Sequence, residues 1–122
     1  MNVLVVDDDL DTVALLASLL ERQGRHVDVA SSLTDAKAAL AEKPYDALIT
    51  DLHLPDGQGT ALLQPSRPTT LRVAILVTGA GEEEKQRASR KVGFDRCLTK
   101  PINIDVVIDL LRAPLSDSRG EQ

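Results

Sequence analysis

The sequence predicts a doubly wound α/β fold, in which helices cover both faces of a five-stranded parallel sheet. Short apolar runs alternate along the chain with longer amphipathic segments, and this pattern is typical of successive strand–helix units. The run at 47–50 is apolar almost throughout, as expected for a central strand covered on both faces. Two apolar runs end on aspartates, although carboxylates are depleted in strands. Strand–helix alternation implies parallel pairing with right-handed crossovers.

The first half of the chain contains three predicted strands and two predicted helices. In chain order these are a strand at Asn2–Asp7, a helix at Leu10–Gln23, a strand at His26–Ala30, a helix ending near Glu42 and a strand at Asp46–Asp51. The first helix carries an apolar stripe made of Leu15, Leu16, Leu19 and Leu20. Gly24 is placed to cap its C-terminus. Ser32 or Thr34 can cap the second helix, and Pro44 ends it.

The second half is interrupted by turn and proline signals. The segment 54–57 has the composition of a turn, and a helix that begins near Gly59 is cut short by Pro65 and Pro68. An irregular segment through Thr70 should follow. The remaining predicted elements are a strand at Arg72–Thr78, a charged helix at Glu82–Val92, a strand at Arg96–Thr99 and a helix at Ile104–Arg112.

Length and composition indicate one domain, residues 1–112, followed by a polar tail or linker start at 113–122. The 122 residues can bury one core, which must be aliphatic because Tyr45 and Phe94 are the only aromatic residues. The net charge of −5 argues against a nucleic-acid partner. No apolar run approaches the ~20 residues that cross a membrane, and no signal peptide is visible. A single cysteine, Cys97, fits a reducing cytoplasmic location.

Polar side chains occur at the predicted ends of four strands. They are Asp7 at the end of the first strand and Asp8 after it, Asp51 at the end of the third, Thr78 at the end of the fourth and Lys100 after the last. Ligands of such sheets bind at the carboxyl ends of the strands, so these side chains should form one site. Three carboxylates within a few ångströms repel one another by several kcal/mol at an effective dielectric of ~20. A hard divalent cation such as Mg²⁺ relieves this repulsion.

This order of residues resembles the receiver domain of two-component response regulators over nearly the whole chain. The resemblance implies a flavodoxin-like three-layer (βα)5 sandwich with strand order 2-1-3-4-5. It also implies that Asp51 is the nucleophile, which takes a phosphoryl group from a phosphohistidine on a histidine kinase or histidine phosphotransfer protein. Thr78 and Lys100 would contact the phosphoryl oxygens, and the phosphorylated domain would change conformation and act on a downstream effector protein that the sequence does not identify.

The resemblance further implies a set of ligands for Mg²⁺. Asp8 and Asp51 would bind the ion directly, Asp7 through a water molecule and His53 through its main-chain carbonyl. The same metal site would allow the chain to dephosphorylate itself. This would be a stoichiometric phosphoacceptor and not a conventional enzyme.

The chain departs from the family pattern at the last strand, where Cys97 occupies the position of the usual tyrosine or phenylalanine switch residue. We interpret Cys97 as a small buried hydrophobe, with redox sensing as the alternative. His53 and Ala80 occupy positions that border the attacking water in the family, and His53 could instead be an ordinary loop residue. The family geometry also implies a cis Lys100–Pro101 bond.

Two further expectations concern the start of the first helix. The pair Asp9 and Asp11 invites an alternative function, a small aspartate-nucleophile phosphatase of the haloacid-dehalogenase type, although the usual glycine is missing. The other reading of Asp9 is a helix cap. The family resemblance implies that a phosphohistidine donor covers Leu10, Thr12, Val13 and part of Leu15 together with Pro101–Ile102, unless Leu10 and Val13 merely edge the core.

Overall fold

The computed structural model describes residues 1–79, 81 and 92–112. Five parallel strands form the main sheet: β1 (Asn2–Val6), β2 (His26–Ala30), β3 (Ala47–Asp51), β4 (Val73–Thr78) and β5 (Arg96–Thr99). Their spatial order is β2-β1-β3-β4-β5. The predicted parallel sheet and its 2-1-3-4-5 order are therefore confirmed, and each predicted strand boundary is correct to within one residue.

Three α-helices are described: α1 (Leu10–Arg22), α2 (Leu33–Glu42) and α3 (Ile104–Arg112). The predicted helix at Glu82–Val92 lies outside the described residues except for Val92, and Ala80 and the tail at 113–122 lie outside them entirely. Among the described helices, none has the length and apolar character needed to cross a bilayer.

The segment between β3 and β4 is irregular, as its prolines predict. It begins with a two-stranded hairpin that pairs His53–Leu54 with Gly57–Gln58, and we call residues 53–58 the β3 hairpin. A 3₁₀ helix at Gly59–Leu63 follows and ends just before Pro65. The side chain of Arg67 ties the rest of this segment to the chain before β5. Its guanidinium lies 3.0 Å from the Asp95 carboxylate and donates a hydrogen bond to the Gly93 carbonyl at 2.8 Å.

The aliphatic core lies in two layers, one on each face of the sheet. One layer packs α1 and α3 against alternate residues of the strands, and the other packs α2 and the 3₁₀ helix against the remaining ones. On α1 the buried residues are Val13, Leu16 and Leu20. The predicted four-leucine stripe is therefore partly wrong, because Leu15 is 63% exposed. Val13 is buried and Leu15 is not, because the buried face of α1 follows the spacing i, i+3, i+7.

The helix caps resolve two alternatives that the sequence left open. The Asp9 side chain accepts hydrogen bonds from the main-chain N–H groups of Asp11 and Thr12, so Asp9 caps α1. Gly24 follows the C-terminus of α1 with a φ of 84°, a conformation that suits glycine. On α2, the Ser32 hydroxyl accepts from the Asp35 N–H at 3.1 Å and is the N-cap.

The register of the sheet brings the functional strand ends to one edge. Val6 of β1 lies opposite Thr50 of β3, and Thr78 of β4 lies opposite Thr99 of β5. The residues that follow β1 and β5, and those that end β3 and β4, are therefore neighbours at the carboxyl edge of the sheet.

Candidate functional site

Three carboxylates meet at the carboxyl edge of the sheet. Asp7 and Asp51 are only 4% and 8% exposed, whereas Asp8 is exposed. One oxygen atom from each of the three side chains lies within 4.8 Å of the other two. The predicted acid cluster is therefore present, and its oxygen atoms are close enough together to share one divalent cation.

Lys100 reaches back over this cluster from the end of β5. Its Nζ lies 3.1 Å from Oδ2 of Asp51 and 3.5 Å from Oδ2 of Asp7. Its main-chain N–H donates to the Thr78 carbonyl at 2.8 Å, which fixes the chain beside β4. The Lys100–Pro101 bond is cis, as the family resemblance implied. The ammonium therefore balances part of the negative charge of the two buried carboxylates.

Burial and the neighbouring charges shift the pKa values of two groups of the site, Asp7 and Lys100. Burial raises the pKa of the Asp7 carboxyl, and the negative charge of Asp51 adds to this, while the Asp9 N–H and Lys100 oppose it. Burial alone would lower the pKa of the Lys100 ammonium, but its hydrogen bond and charge attraction to Asp51, together with Asp7, raise the pKa above its usual value. Lys100 is therefore a cation at neutral pH.

Thr78 is fully buried at the end of β4, and it faces the residue that replaces the expected aromatic switch. Its Oγ1 lies 3.8 Å from Sγ of Cys97. Cys97 is half-buried and packs against the core layer on the α2 face, which supports its interpretation as a small hydrophobe. Contact with Thr78 was not predicted, because the sequence gives no register between β4 and β5.

The cluster of possible metal-binding side chains among the described residues consists of Asp7, Asp8 and Asp51, and it includes neither His53 nor the Asp9–Asp11 pair. His53 is exposed in the first strand of the β3 hairpin, where it pairs with Gln58. Asp9 and Asp11 are exposed on the first turn of α1, and the Asp9 carboxylate accepts from Asp11 N at 3.1 Å. The Asp9 carboxylate, on which the phosphatase alternative depends, therefore caps a helix, and nothing supports that alternative.

Sequence reasoning missed Gly59, which packs directly against the end of β3. A Cβ atom at this position would overlap the main-chain carbonyl oxygen of Asp51 and would lie 2.7 Å from Oγ1 of Thr50. The Gly59 N–H also donates to the Leu52 carbonyl at 2.8 Å. Only a residue without a side chain allows the backbone to approach Asp51 this closely.

We expect Asp7→Asn to raise the melting temperature of the metal-free protein by a few degrees at neutral pH. A carboxyl whose folded-state pKa is raised stabilises the fold only below its unfolded pKa, and that stability is lost as pH rises through the folded value. At neutral pH the ionised Asp7 therefore destabilises the fold, and the amide removes the charge. Thermal unfolding in chelator should show a difference that disappears below a pH of about 4.

Asp8→Asn is the matched control for this prediction. Asp8 is exposed, so water screens its charge and the melting temperature should rise less than in Asp7→Asn. A lower melting temperature for Asp7→Asn, or a gain independent of pH, would contradict this account of the site.

The fold and site together define a doubly wound α/β domain with a buried acid cluster and a lysine at its carboxyl edge. A family model described as the response regulator receiver domain matches residues 3–112. The chain belongs to this family and is a receiver domain of two-component response regulators.

Similar proteins include both short and long chains. The "Uncharacterized 14.6 kDa protein in sodA1 3'region" of Leptolyngbya boryana is 37% identical over 107 residues, which cover 84% of this chain and 81% of the relative. The sensor histidine kinase RcsC of Escherichia coli is 36% identical over 109 residues, which cover 88% of this chain but only 11% of RcsC. The chain therefore spans most of one relative and a small part of the other.

A solved structure provides a comparison of the fold. A response regulator protein from Burkholderia pseudomallei, crystallised with a phosphorylated aspartic acid, a calcium ion and citrate, superposes with a TM-score of 0.83. It is 28% identical, and the match covers 98% of this chain and 71% of that chain. The comparison supports the same fold for the part of this chain that the structure describes.

Proposed function

We propose that this chain is a phosphoacceptor in which Asp51 takes a phosphoryl group from a phosphohistidine on a histidine kinase or histidine phosphotransfer protein. One observation carries the proposal: the Asp51 carboxylate is buried at the carboxyl edge of the sheet, 3.1 Å from the Lys100 ammonium and beside two further carboxylates. The phosphorylated aspartic acid in the Burkholderia pseudomallei structure supports it.

In this proposal each residue has a defined role in phosphoryl transfer. An oxygen atom of Asp51 bonds to phosphorus while the bond from phosphorus to the donor histidine nitrogen breaks. Lys100 moves from pairing with the carboxylate to pairing with the phosphoryl oxygens, and the Thr78 hydroxyl donates a hydrogen bond to another oxygen. Transfer of this kind has a loose transition state, so positioning and charge neutralisation supply most of the acceleration.

The proposed cofactor is Mg²⁺, bound directly by Asp8 and Asp51, through water by Asp7 and by the main-chain carbonyl of His53. The three carboxylates fit this role because hard oxygen ligands suit a hard divalent cation. A calcium ion in the Burkholderia pseudomallei structure supports a divalent-cation site. When bound, the ion neutralises charge on the phosphoryl group.

We further propose that residues 1–112 form the receiver domain and that residues 113–122 are a tail or the start of a linker. The added phosphoryl group brings a charge of up to about −2, which would shift the loops around Asp51 and change how the domain contacts a downstream effector. Hydrolysis of the acyl phosphate would return the domain to its starting state.

Transfer from a phosphohistidine donor tests the proposed function. A phosphorylated histidine kinase or phosphotransfer protein, mixed with this chain and Mg²⁺, should lose its label as the chain gains one phosphoryl group per molecule. Hydroxylamine should remove the label, because it cleaves acyl phosphates. If labelled donors from a panel of kinases and phosphotransfer proteins transfer nothing, or if the label resists hydroxylamine, the proposal fails.

We predict that Leu10→Glu slows transfer from such a donor about 10-fold while phosphorylation by acetyl phosphate stays nearly unchanged. Leu10 is 72% exposed at the start of α1. Other residues of this helix border a groove of about 530 Å³ that lies between α1 and the segment that follows Lys100. Leu15 and Ile102 line this groove. A donor that covers Asp51 would bury these apolar side chains, and a new carboxylate would oppose that burial.

The structure removes Val13 from this docking surface. Val13 is 6% exposed in the core layer beneath α1, so Val13→Glu would test folding instead of docking. Rates of phosphorylation by the protein donor and by acetyl phosphate, measured on the same preparation of Leu10→Glu, separate the two effects. Equal slowing of both reactions would show that the substitution damages the site and would remove support for docking at Leu10.

A further inference from the structure

Asp56, at the tip of the β3 hairpin, binds the first turn of α2. Its carboxylate oxygens accept hydrogen bonds from the Leu33 N–H at 2.7 Å, the Thr34 N–H at 2.9 Å and the Thr34 hydroxyl at 2.7 Å. These partners lie 22 and 23 residues away along the chain. Three bonds to one ionised group tie the hairpin to the helix more firmly than a single neutral bond would.

The rest of the β3 hairpin leaves little freedom for the tip to move independently. His53 pairs with Gln58 and Leu54 pairs with Gly57, while the Leu54 side chain is buried in the core. Gly57 packs so closely on α2 that a Cβ atom there would lie 2.7 Å from Cδ2 of Leu33. The hairpin and the first turn of α2 therefore form one unit, which begins two residues after Asp51.

Asp56 completes the capping of α2 from a distant part of the chain. Ser32 already provides the N-cap of the helix by accepting from the Asp35 N–H. Asp56 takes the two preceding N–H groups, and it does so from a different part of the chain. The Thr34 hydroxyl bond and the two main-chain bonds lower the pKa of Asp56 to about 2, so the carboxylate is ionised at neutral pH.

We propose that Asp56 is a positioning residue for the phosphorylation site: by tying the β3 hairpin to α2, it holds the His53 main-chain carbonyl in place beside Asp51. This inference rests on the proposed function, which assigns that carbonyl to the Mg²⁺ site. Asp56 itself touches neither the metal site nor the phosphoryl group. Removal of a group that orients a metal ligand without binding the metal typically lowers metal affinity or activity by roughly 10- to 100-fold.

The test is the binding of Mg²⁺ to the full chain without a phosphoryl donor, measured by isothermal titration calorimetry, together with the Mg²⁺ dependence of phosphorylation by acetyl phosphate. We expect Asp56→Ala to raise the half-saturating Mg²⁺ concentration about 10-fold, with a nearly normal maximal rate at saturating Mg²⁺. Asp56→Asn should lie between this variant and the wild type, because its amide oxygen still accepts from the Leu33 N–H. Ser32→Ala is the matched control: it removes a cap of the same helix, and it should stay within about 2-fold of wild type.

The outcomes separate this inference from the proposed function. If the wild type is phosphorylated and Asp56→Ala has the same Mg²⁺ dependence as the wild type, Asp56 is only a cap and the inference is overturned. If Ser32→Ala shows the same rise as Asp56→Ala, loosening of α2 explains both and the inference is again overturned. If the wild type is not phosphorylated, the proposed function fails and the inference falls with it.

A milder variant keeps the inference falsifiable if Asp56→Ala does not fold. Thr34→Ala removes one of the three hydrogen bonds from an exposed position on α2 and leaves the carboxylate in place. A rise of about 3-fold in half-saturating Mg²⁺ for both Thr34→Ala and Asp56→Asn supports the inference. Wild-type Mg²⁺ dependence in both variants overturns it.

Discussion

Asp51→Ala is expected to abolish labelling by acetyl phosphate, with at least about a 100-fold loss of incorporated phosphoryl group. Asp51 is the carboxylate that lies nearest to the Lys100 ammonium, at 3.1 Å, and it ends the central strand of the sheet. Asp7 and Asp8 follow β1 and not β3, so neither is expected to place an oxygen atom where β3 places that of Asp51. Intact-mass measurement after incubation with acetyl phosphate and Mg²⁺ gives the stoichiometry directly.

Asp51→Asn and Asp11→Asn are the controls for this loss. Asp51→Asn keeps the shape of the side chain but removes the nucleophilic oxygen, so it should also take up no label. Asp11 is an exposed carboxylate on α1, and its replacement should leave labelling unchanged. Labelling of Asp51→Ala at the stoichiometry of the wild type would move the phosphoacceptor to another residue.

Gly59→Ala is expected to lower the free energy of unfolding by about 3 kcal/mol and to slow phosphorylation at least about 10-fold. The added methyl group would overlap the Asp51 carbonyl oxygen, which is main chain and cannot rotate away. The chain must therefore shift either the end of β3 or the start of the 3₁₀ helix. A shift of β3 displaces the Asp51 carboxylate, so stability and reaction rate should fall together. Chemical denaturation and the rate of labelling measure the two effects.

Gly24→Ala separates a general loss of stability from damage to the site. Gly24 has a φ of 84° at the far end of α1, and a Cβ atom there would meet no neighbouring atom within 4 Å. Its replacement should cost about 1 kcal/mol from backbone strain and leave the labelling rate unchanged. If Gly59→Ala behaves like Gly24→Ala, the close approach of Gly59 to Asp51 has no functional consequence.

The strands and the acid cluster could be predicted from sequence because both depend on local signals, whereas the strand order was predicted from the family resemblance. Apolar runs mark the strands, and aspartates directly after two of them mark the edge of the sheet at which they meet. Lys100 was predictable for the same reason, since it follows the last strand. The order of these residue types along the chain, together with the family resemblance, was sufficient to place them in one site.

Other features depend on contacts between distant parts of the chain, which periodicity does not reveal. Ser32 and Thr34 were equally good caps by residue type, and the choice is settled by Asp56, which engages Thr34 from the β3 hairpin. Leu15 and Val13 are both apolar residues on α1, but only the position of the helix on the sheet decides that Val13 is buried and Leu15 exposed. The role of Gly59 likewise depends on the backbone of β3.

Identification of the modified residue tests the central claim most directly. The wild-type chain, phosphorylated by a histidine donor or acetyl phosphate in Mg²⁺ and treated with hydroxylamine, should carry a hydroxamate that peptide mass spectrometry assigns to one aspartate. The account predicts Asp51, with Asp7 and Asp8 unmodified in the same spectra. A hydroxamate on Asp7 or Asp8, or phosphate recovered on a serine or threonine, would contradict it.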